Sequence, residues 1–284
     1  MQIANVDRAL ALIEALADRP DGAPLGALAD VLDLPKSALH RLLQSLALRG
    51  YVVQNPLTQD YQLSMKLGML GFRFLDSRRL PDVTQGALDR LARDSGEYCR
   101  LAVAEGDTLH WVARAQGATQ GLRYEPPMGR KVVLHATASG KAWLATLPED
   151  EALSIALRHG FGGRPGMGPR AVKNLDELRR HLRETRRRGF ALAVDEGEAG
   201  IVAIATAFRT LPATGSPAAG TVSIAGPDVR LSTKGAEALA PRLAEAAREL
   251  TELWPMRRRQ AGTNLHARAA PPAPRESVAR EETP

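Results

Sequence analysis

The chain has 284 residues, with 38 Lys/Arg against 32 Asp/Glu, a formal net charge of +6 and a sequence pI near 9.8. That length allows two domains, each with its own core. A single cysteine, Cys99, excludes an internal disulfide framework or a multi-cysteine zinc site, and no apolar run is long enough for a membrane span. No basic stretch followed by an apolar segment opens the chain, so the expectation is a soluble cytoplasmic protein. Residues 1–80 hold nine Lys/Arg against eight Asp/Glu, and residues 81–256 hold 23 against 21. With the excess so spread out, bulk charge does not identify a nucleic-acid binder.

Val6, Ala9, Leu10, Ile13, Leu16 and Ala17 recur at helical spacing and predict a first helix, stopped by Arg19, Pro20, Asp21 and Gly22. Leu25, Leu28, Ala29 and Leu32 predict a second, which Asp33 and Leu34 break before Pro35 starts a third with its φ already fixed. In the third, Leu39, Leu42, Leu43 and Leu46 form an inward stripe at i, i+3, i+4 and i+7. Its other face carries Lys36, Ser37, His40, Arg41, Gln44 and Ser45, and no acid lies between Lys36 and Arg49. Many surface helices have a polar face, and it is the segment C-terminal to this one that sets it apart. Gly50 ends the helix, residues 51–53 read as a short strand, 55–60 as a polar turn and 61–63 as a returning strand. Helix, turn, helix and hairpin in that order make a winged helix-turn-helix, whose second helix reads base edges while the wing rests on phosphates.

Leu67, Leu70, Gly71, Phe74 and Leu75 predict a linker helix over residues 63–79, either a dimer contact or a plain spacer. Pro81 begins a second domain. Val83, Ala87, Leu88, Leu91 and Ala92 predict a helix, and residues 98–104 and 109–113 a hairpin turning at Gly106 and Asp107. Residues 121–133 read as an irregular strand-like stretch interrupted by Pro126, Pro127 and Gly129. Helices are expected at 137–146, 149–158 and 175–188, strands at 190–194, 202–208 and 219–225, and a last helix at 231–253. This is an α+β domain around an antiparallel sheet. From Met256 the Arg-, Ala- and Pro-rich end reads as a disordered tail.

Four segments in register resemble the IclR family of bacterial transcriptional regulators: LPKSALHRLLQSLALRGYV at 34–52, LHATASGKA at 134–142, DEGEAGIVAIATAF at 195–208 and TVSIAGPDVRLS at 221–232. The resemblance covers nearly the whole chain to about Trp254. It implies a winged helix-turn-helix domain (1–63), a linker helix (64–80), a GAF-like α+β effector-binding domain (81–255) and a tail (256–284). It also implies a homodimer or dimer of dimers on double-stranded operator DNA, responsive to a small organic or aromatic acid; no cofactor or metal is expected.

For DNA contact the candidates are Lys36, Ser37, His40, Arg41 and Gln44. Arg41 suits guanine O6/N7 and Gln44 adenine N6/N7, each such pair contributing about 1–3 kcal/mol of discrimination. Lys36 and Ser37, at the helix start, reach phosphates and base edges, and a symmetric dimer calls for half-sites about 34 Å apart or a multiple of that. For the effector, Thr137, Ala138 and Ser139 open a helix whose N-terminus favours an anion, although Thr137 is equally an ordinary N-cap and Gly140 an ordinary packing residue. The resemblance implies that Leu134, Ala138, Ser139, Ile201, Ala203 and Ser223 line the cavity, with Asp195 and Glu196 at its rim. Ala203 and Ala225 stand where many relatives carry cysteine and serine. That more apolar wall leans toward a bulkier or aromatic acid.

Enzyme readings are weaker. Gly140 and Lys141 lack the earlier glycine and the following Ser/Thr of a phosphate-binding loop, and Gly166, Gly168 and Ala171 sit between prolines with no strand ahead of them. The six histidines form no helical metal pair, and Cys99 with His110 or His135 is a poor nucleophilic dyad. The competing classes are a metabolic enzyme with an accessory helix-turn-helix and an architectural DNA binder indifferent to metabolites.

Overall fold

The computed structural model describes residues 4–77, 80–129, 131–162, 166–213 and 215–254. The tail expected at 256–284 lies outside them. The chain divides into two compact units, residues 1–77 and 78–284.

The first unit runs α1 (Ala4–Ala17), α2 (Leu25–Leu32), α3 (Lys36–Leu48), β1 (Val52–Gln54), β2 (Tyr61–Leu63) and α4 (Lys66–Ser77). Asp33 closes α2 in the left-handed region at φ 50°, its N–H bonded to Ala29 O, which turns the chain into Pro35 and α3. Leu12, Leu16, Leu28, Leu39, Leu43, Val52 and Tyr61 form one core, so the leucine stripe of α3 is clamped by α1, α2 and the wing. β1 and β2 pair antiparallel, Val52 opposite Leu63, one residue later than the sequence spacing predicts for the first strand. Tyr61 also exchanges backbone hydrogen bonds with Ala23, at 2.9 and 3.0 Å, fixing the wing to the α1–α2 loop. Gly22 permits this closure: its φ is +86°, and a Cβ there would lie 2.8 Å from Tyr61 O.

The second unit contains α5 (Leu80–Ser95), β3 (Tyr98–Glu105), β4 (Thr108–Gln116), α6 (Ala138–Leu144), α7 (Glu149–His159), α8 (Leu175–Arg188), β5 (Ala191–Val194), β6 (Ile201–Arg209), β7 (Ala218–Pro227), α9 (Thr233–Ala238) and α10 (Ala240–Leu253). The antiparallel sheet has the order β4-β3-β7-β6-β5. Central β7 is buried from Ala219 to Pro227, because helices cover both of its faces. α5 and α10 pack together against the sheet, with Phe208 of β6 edge-on to Trp254. On the other face α6 packs on β5, β6 and β7 through Ala138, Ala142, Ala191, Ala193 and Ala205, small side chains that draw helix and sheet together. α7 and α8 complete that layer around Leu134, Trp143, Leu153, Leu178 and Leu182.

Two expectations are corrected. Residues 121–133 form no strand among the described residues beyond one isolated bridge between Lys131 and His110, since Pro126 and Pro127 lack the N–H a ladder needs. The last helix is two: α9 starts on Ser232, whose hydroxyl accepts from Gly235 N–H at 3.1 Å, and α10 restarts beside Pro241, which cannot continue the hydrogen-bond ladder.

Candidate functional site

In the first unit Lys36, Ser37, His40, Arg41 and Gln44 are all exposed on one side of α3, while Leu39 and Leu43 are wholly buried on the other. Pro35 supplies no side-chain cap and the first turn holds no acid, so the leading N–H groups and the helix dipole face outward unopposed. Such an end suits a phosphate, and Arg41 and Gln44 follow in the next turns on the same exposed side. The wing tip is held by Asn55, whose side-chain oxygen accepts from Leu57 N–H at 2.9 Å.

In the second unit a cavity of about 830 Å³ lies between the sheet, the start of α6 and the loops at 123–127, 131–137, 166–167 and 197–198. That volume is in the range of small-molecule sites, roughly 300–1,000 Å³. Six of the nine expected effector residues line it: Thr137, Ala138, Ser139, Ile201, Ala203 and Ser223. The other three are placed elsewhere. Leu134 is buried in the core under α7 and α8. Asp195 turns the chain after β5 at φ 55° and its carboxylate accepts from Gly200 N–H at 2.6 Å. Glu196 is not at a rim but buried in an ion pair with Lys141 of α6, at 2.6 Å.

The start of α6 has the structural features expected of it. Thr137 accepts from Gly140 N–H at 3.0 Å and donates to Val133 O at 2.8 Å, which closes one of the free amides. A Cβ on Gly140 would lie 2.3 Å from Leu134 O, so this glycine is a packing residue. Ser139, 1% exposed, has a sealed hydroxyl with no hydrogen-bond partner among the described residues. A buried hydroxyl in that state is costly unless something polar reaches it.

Sequence reasoning missed the charged wall. Arg100 of β3 lines the cavity with its guanidinium 3.8 Å over the ring of Trp111, and its Nε is sealed and unbonded among the described residues. Burial pushes its pKa below the usual range, opposed by Tyr124, Tyr98 and Glu198. An arginine remains protonated even so. Arg123, Lys131, Tyr124, Glu125 and Glu198 line the same space, Glu125 being paired with Arg114 at 3.5 Å. The signal available in the sequence was one charged residue inside the apolar run Tyr98–Ala104 of an expected central strand.

Neither cysteine nor metal chemistry gathers there. Burial pushes the Cys99 thiol up to about 12, leaving it a protonated apolar filler. No group of three His, Cys, Asp or Glu suited to a metal occurs among the described residues, and no described helix is long and apolar enough to cross a membrane.

A chain that offers one unit to a DNA groove and encloses a ligand-sized cavity in the other is built as a transcriptional regulator. Two family models match it: the IclR helix-turn-helix domain over residues 5–56, and the bacterial transcriptional regulator IclR C-terminal domain over residues 72–252. It is 29% identical over 254 residues to the acetate operon repressor of Salmonella typhimurium, covering 88% of this chain and 89% of that one. It is 33% identical over 253 residues to the glycerol operon regulatory protein of Streptomyces coelicolor, covering 87% and 93%. An IclR homolog from Microbacterium hydrocarbonoxydans, crystallised with 4-hydroxybenzoate, shares the fold at a TM-score of 0.70 and 24% identity, covering 88% of this chain and 98% of that one. The chain belongs to the IclR family of bacterial transcriptional regulators.

Proposed function

We infer that this regulator binds operator DNA as a homodimer or dimer of dimers through Lys36, Ser37, His40, Arg41 and Gln44, and that an organic acid held in the second unit changes that binding. Residues 1–63 act as the DNA-binding domain, 64–80 as the linker helix and 81–255 as the effector-binding domain. Its partner being chromosomal DNA, it acts in the cytoplasm. The observation that carries the effector reading is the cavity, lined by the cationic guanidinium of Arg100 on the sheet together with small apolar side chains, and by Ser139 at the start of α6. The alanines at 203 and 225, both on its lining, make the wall more apolar and favour an aromatic or otherwise bulky acid over a very small polar one. 4-Hydroxybenzoate, the ligand of the Microbacterium homolog, has that character.

An effector shifts operator affinity only by the difference in its affinity for the two arrangements, commonly about 1–3 kcal/mol. The test is fluorescence anisotropy on a duplex selected from genomic DNA by the protein itself, titrated with and without candidate acids. An acid that binds stoichiometrically, persists unchanged and moves the operator Kd supports the reading. Sustained turnover of the acid would favour an enzyme with an accessory helix-turn-helix.

A further inference from the structure

We propose that Arg100 is the anchor that captures the carboxylate of the effector, and that Glu198 is the resident counter-charge which the effector displaces. This rests on the reading of the cavity as the effector site and deepens it to a residue and a ligand class, monocarboxylic acids with a flat or bulky body.

Arg100 is placed by register. It stands opposite Ser223 of β7, beside the pair formed by Tyr98 and Ala225, so its side chain rises from the middle of the sheet rather than from an edge. The indole of Trp111 covers one face of the guanidinium, and the Tyr98 ring lies 5.6 Å away. Stacking on an aromatic face leaves the N–H groups of a guanidinium in its plane, and apart from the sealed Nε these suit the oxygens of a carboxylate. The neighbouring arginines differ: Arg114 is paired with Glu125 and Arg230 with Glu97, while Arg100 forms no ion pair among the described residues and its Nε has no acceptor.

The remaining compensation comes from groups that make no ion pair with it among the described residues. Tyr124 and Glu198 line the same cavity as Arg100, and both oppose the loss of its charge. Glu198 is exposed on the loop that follows β5. A carboxylate arriving at Arg100 brings the same charge as Glu198 into a smaller space, so the two compete. The alanines at 193, 203 and 225 on the same wall leave room for the body of the ligand.

The test is a thermal-shift and calorimetric series on the full-length protein with benzoate, 4-hydroxybenzoate, phenylacetate, cyclohexanecarboxylate and hexanoate, each beside its primary amide. The expected result is that at least one acid binds and its amide does not. Arg100→Gln should then weaken that acid about 10- to 100-fold, the worth of a charge-assisted bidentate contact. Arg100→Lys should recover part of the loss, and Glu198→Gln should bind the acid several-fold more tightly, a gain that a merely structural glutamate would not give.

Amides binding as well as acids, no acid binding, or unchanged affinity in Arg100→Gln would overturn the anchor. Weaker binding in Glu198→Gln would overturn the counter-charge. Ala203→Phe, which fills the cavity, separates these failures from failure of the cavity reading: if it leaves acid binding intact, the cavity is not the effector site.

Discussion

Lys141 Nζ, fully shielded from solvent, meets both carboxylate oxygens of Glu196, at 2.6 and 2.7 Å, and also donates to Leu192 O at 2.7 Å. Burial pushes Lys141 down and Glu196 up, and each is held charged by the other. The pair joins α6, whose first turn walls the cavity, to the loop whose next residues, Gly197 and Glu198, also line it. Removing one partner leaves the other charge buried and alone. Lys141→Met is expected to cost about 3–5 kcal/mol, whereas Lys141→Met with Glu196→Leu should recover much of it. Chemical denaturation of the three proteins checks this; a single-variant loss below about 1 kcal/mol would show that the pair does not hold the wall.

His181 of α8 places Nδ1 3.1 Å from Lys141 Nζ, and burial together with that cation lowers its pKa from 6.5 to about 4. The unfolded chain therefore binds a proton between pH 6.5 and 4 that the folded chain refuses. Stability from this site is complete above about pH 6.5 and is lost as pH falls toward 4, by about 1–2 kcal/mol once solvent screening is allowed for. A Tm profile over that range should flatten in His181→Asn; an unchanged slope would assign the acid lability to other groups.

Gly140 sits against the backbone of Leu134, the contact that fixes the entry to α6. Gly140→Ala should lower stability by at least about 2 kcal/mol, despite the higher helix propensity of alanine, because the obstructing atoms are backbone. Urea midpoints at equal m-value measure it, and a neutral or stabilising result would contradict the packing role.

α4 has no buried residue, and Met69 and Phe72 are 62% and 71% exposed along it. A helix that leaves such side chains in water is expected to meet its twin. Met69→Glu with Phe72→Glu should shift sedimentation toward monomer and weaken operator binding; an unchanged oligomer would put the interface elsewhere.

These features were unequally legible in the sequence. The α3 stripe and its exposed polar face follow from a leucine period of 3.6 and from Pro35, signals local to one helix. Gly140 and Thr137 were readable for the same reason, their partners lying within six residues. Glu196 is not at the rim that the resemblance implies, because its partner Lys141 lies 55 residues earlier and only the fold brings them together. Arg100 escaped for a related reason: its role depends on Trp111 across a β-hairpin whose register shifts between Leu101 and Ala102. Alternation alone fixes neither that shift nor which face of a doubly covered strand holds a cavity.

Arg41, exposed on α3, bears most directly on whether this helix reads DNA. Electrophoretic mobility titrations of wild type and Arg41→Ala, on a duplex selected from genomic DNA and on a scrambled duplex of equal length, measure its part in reading bases. The predicted result is a loss of specific over non-specific affinity of about 5- to 150-fold, with non-specific binding reduced far less. Equal affinities of the two proteins for both duplexes would contradict the assignment of α3 as the helix that reads DNA.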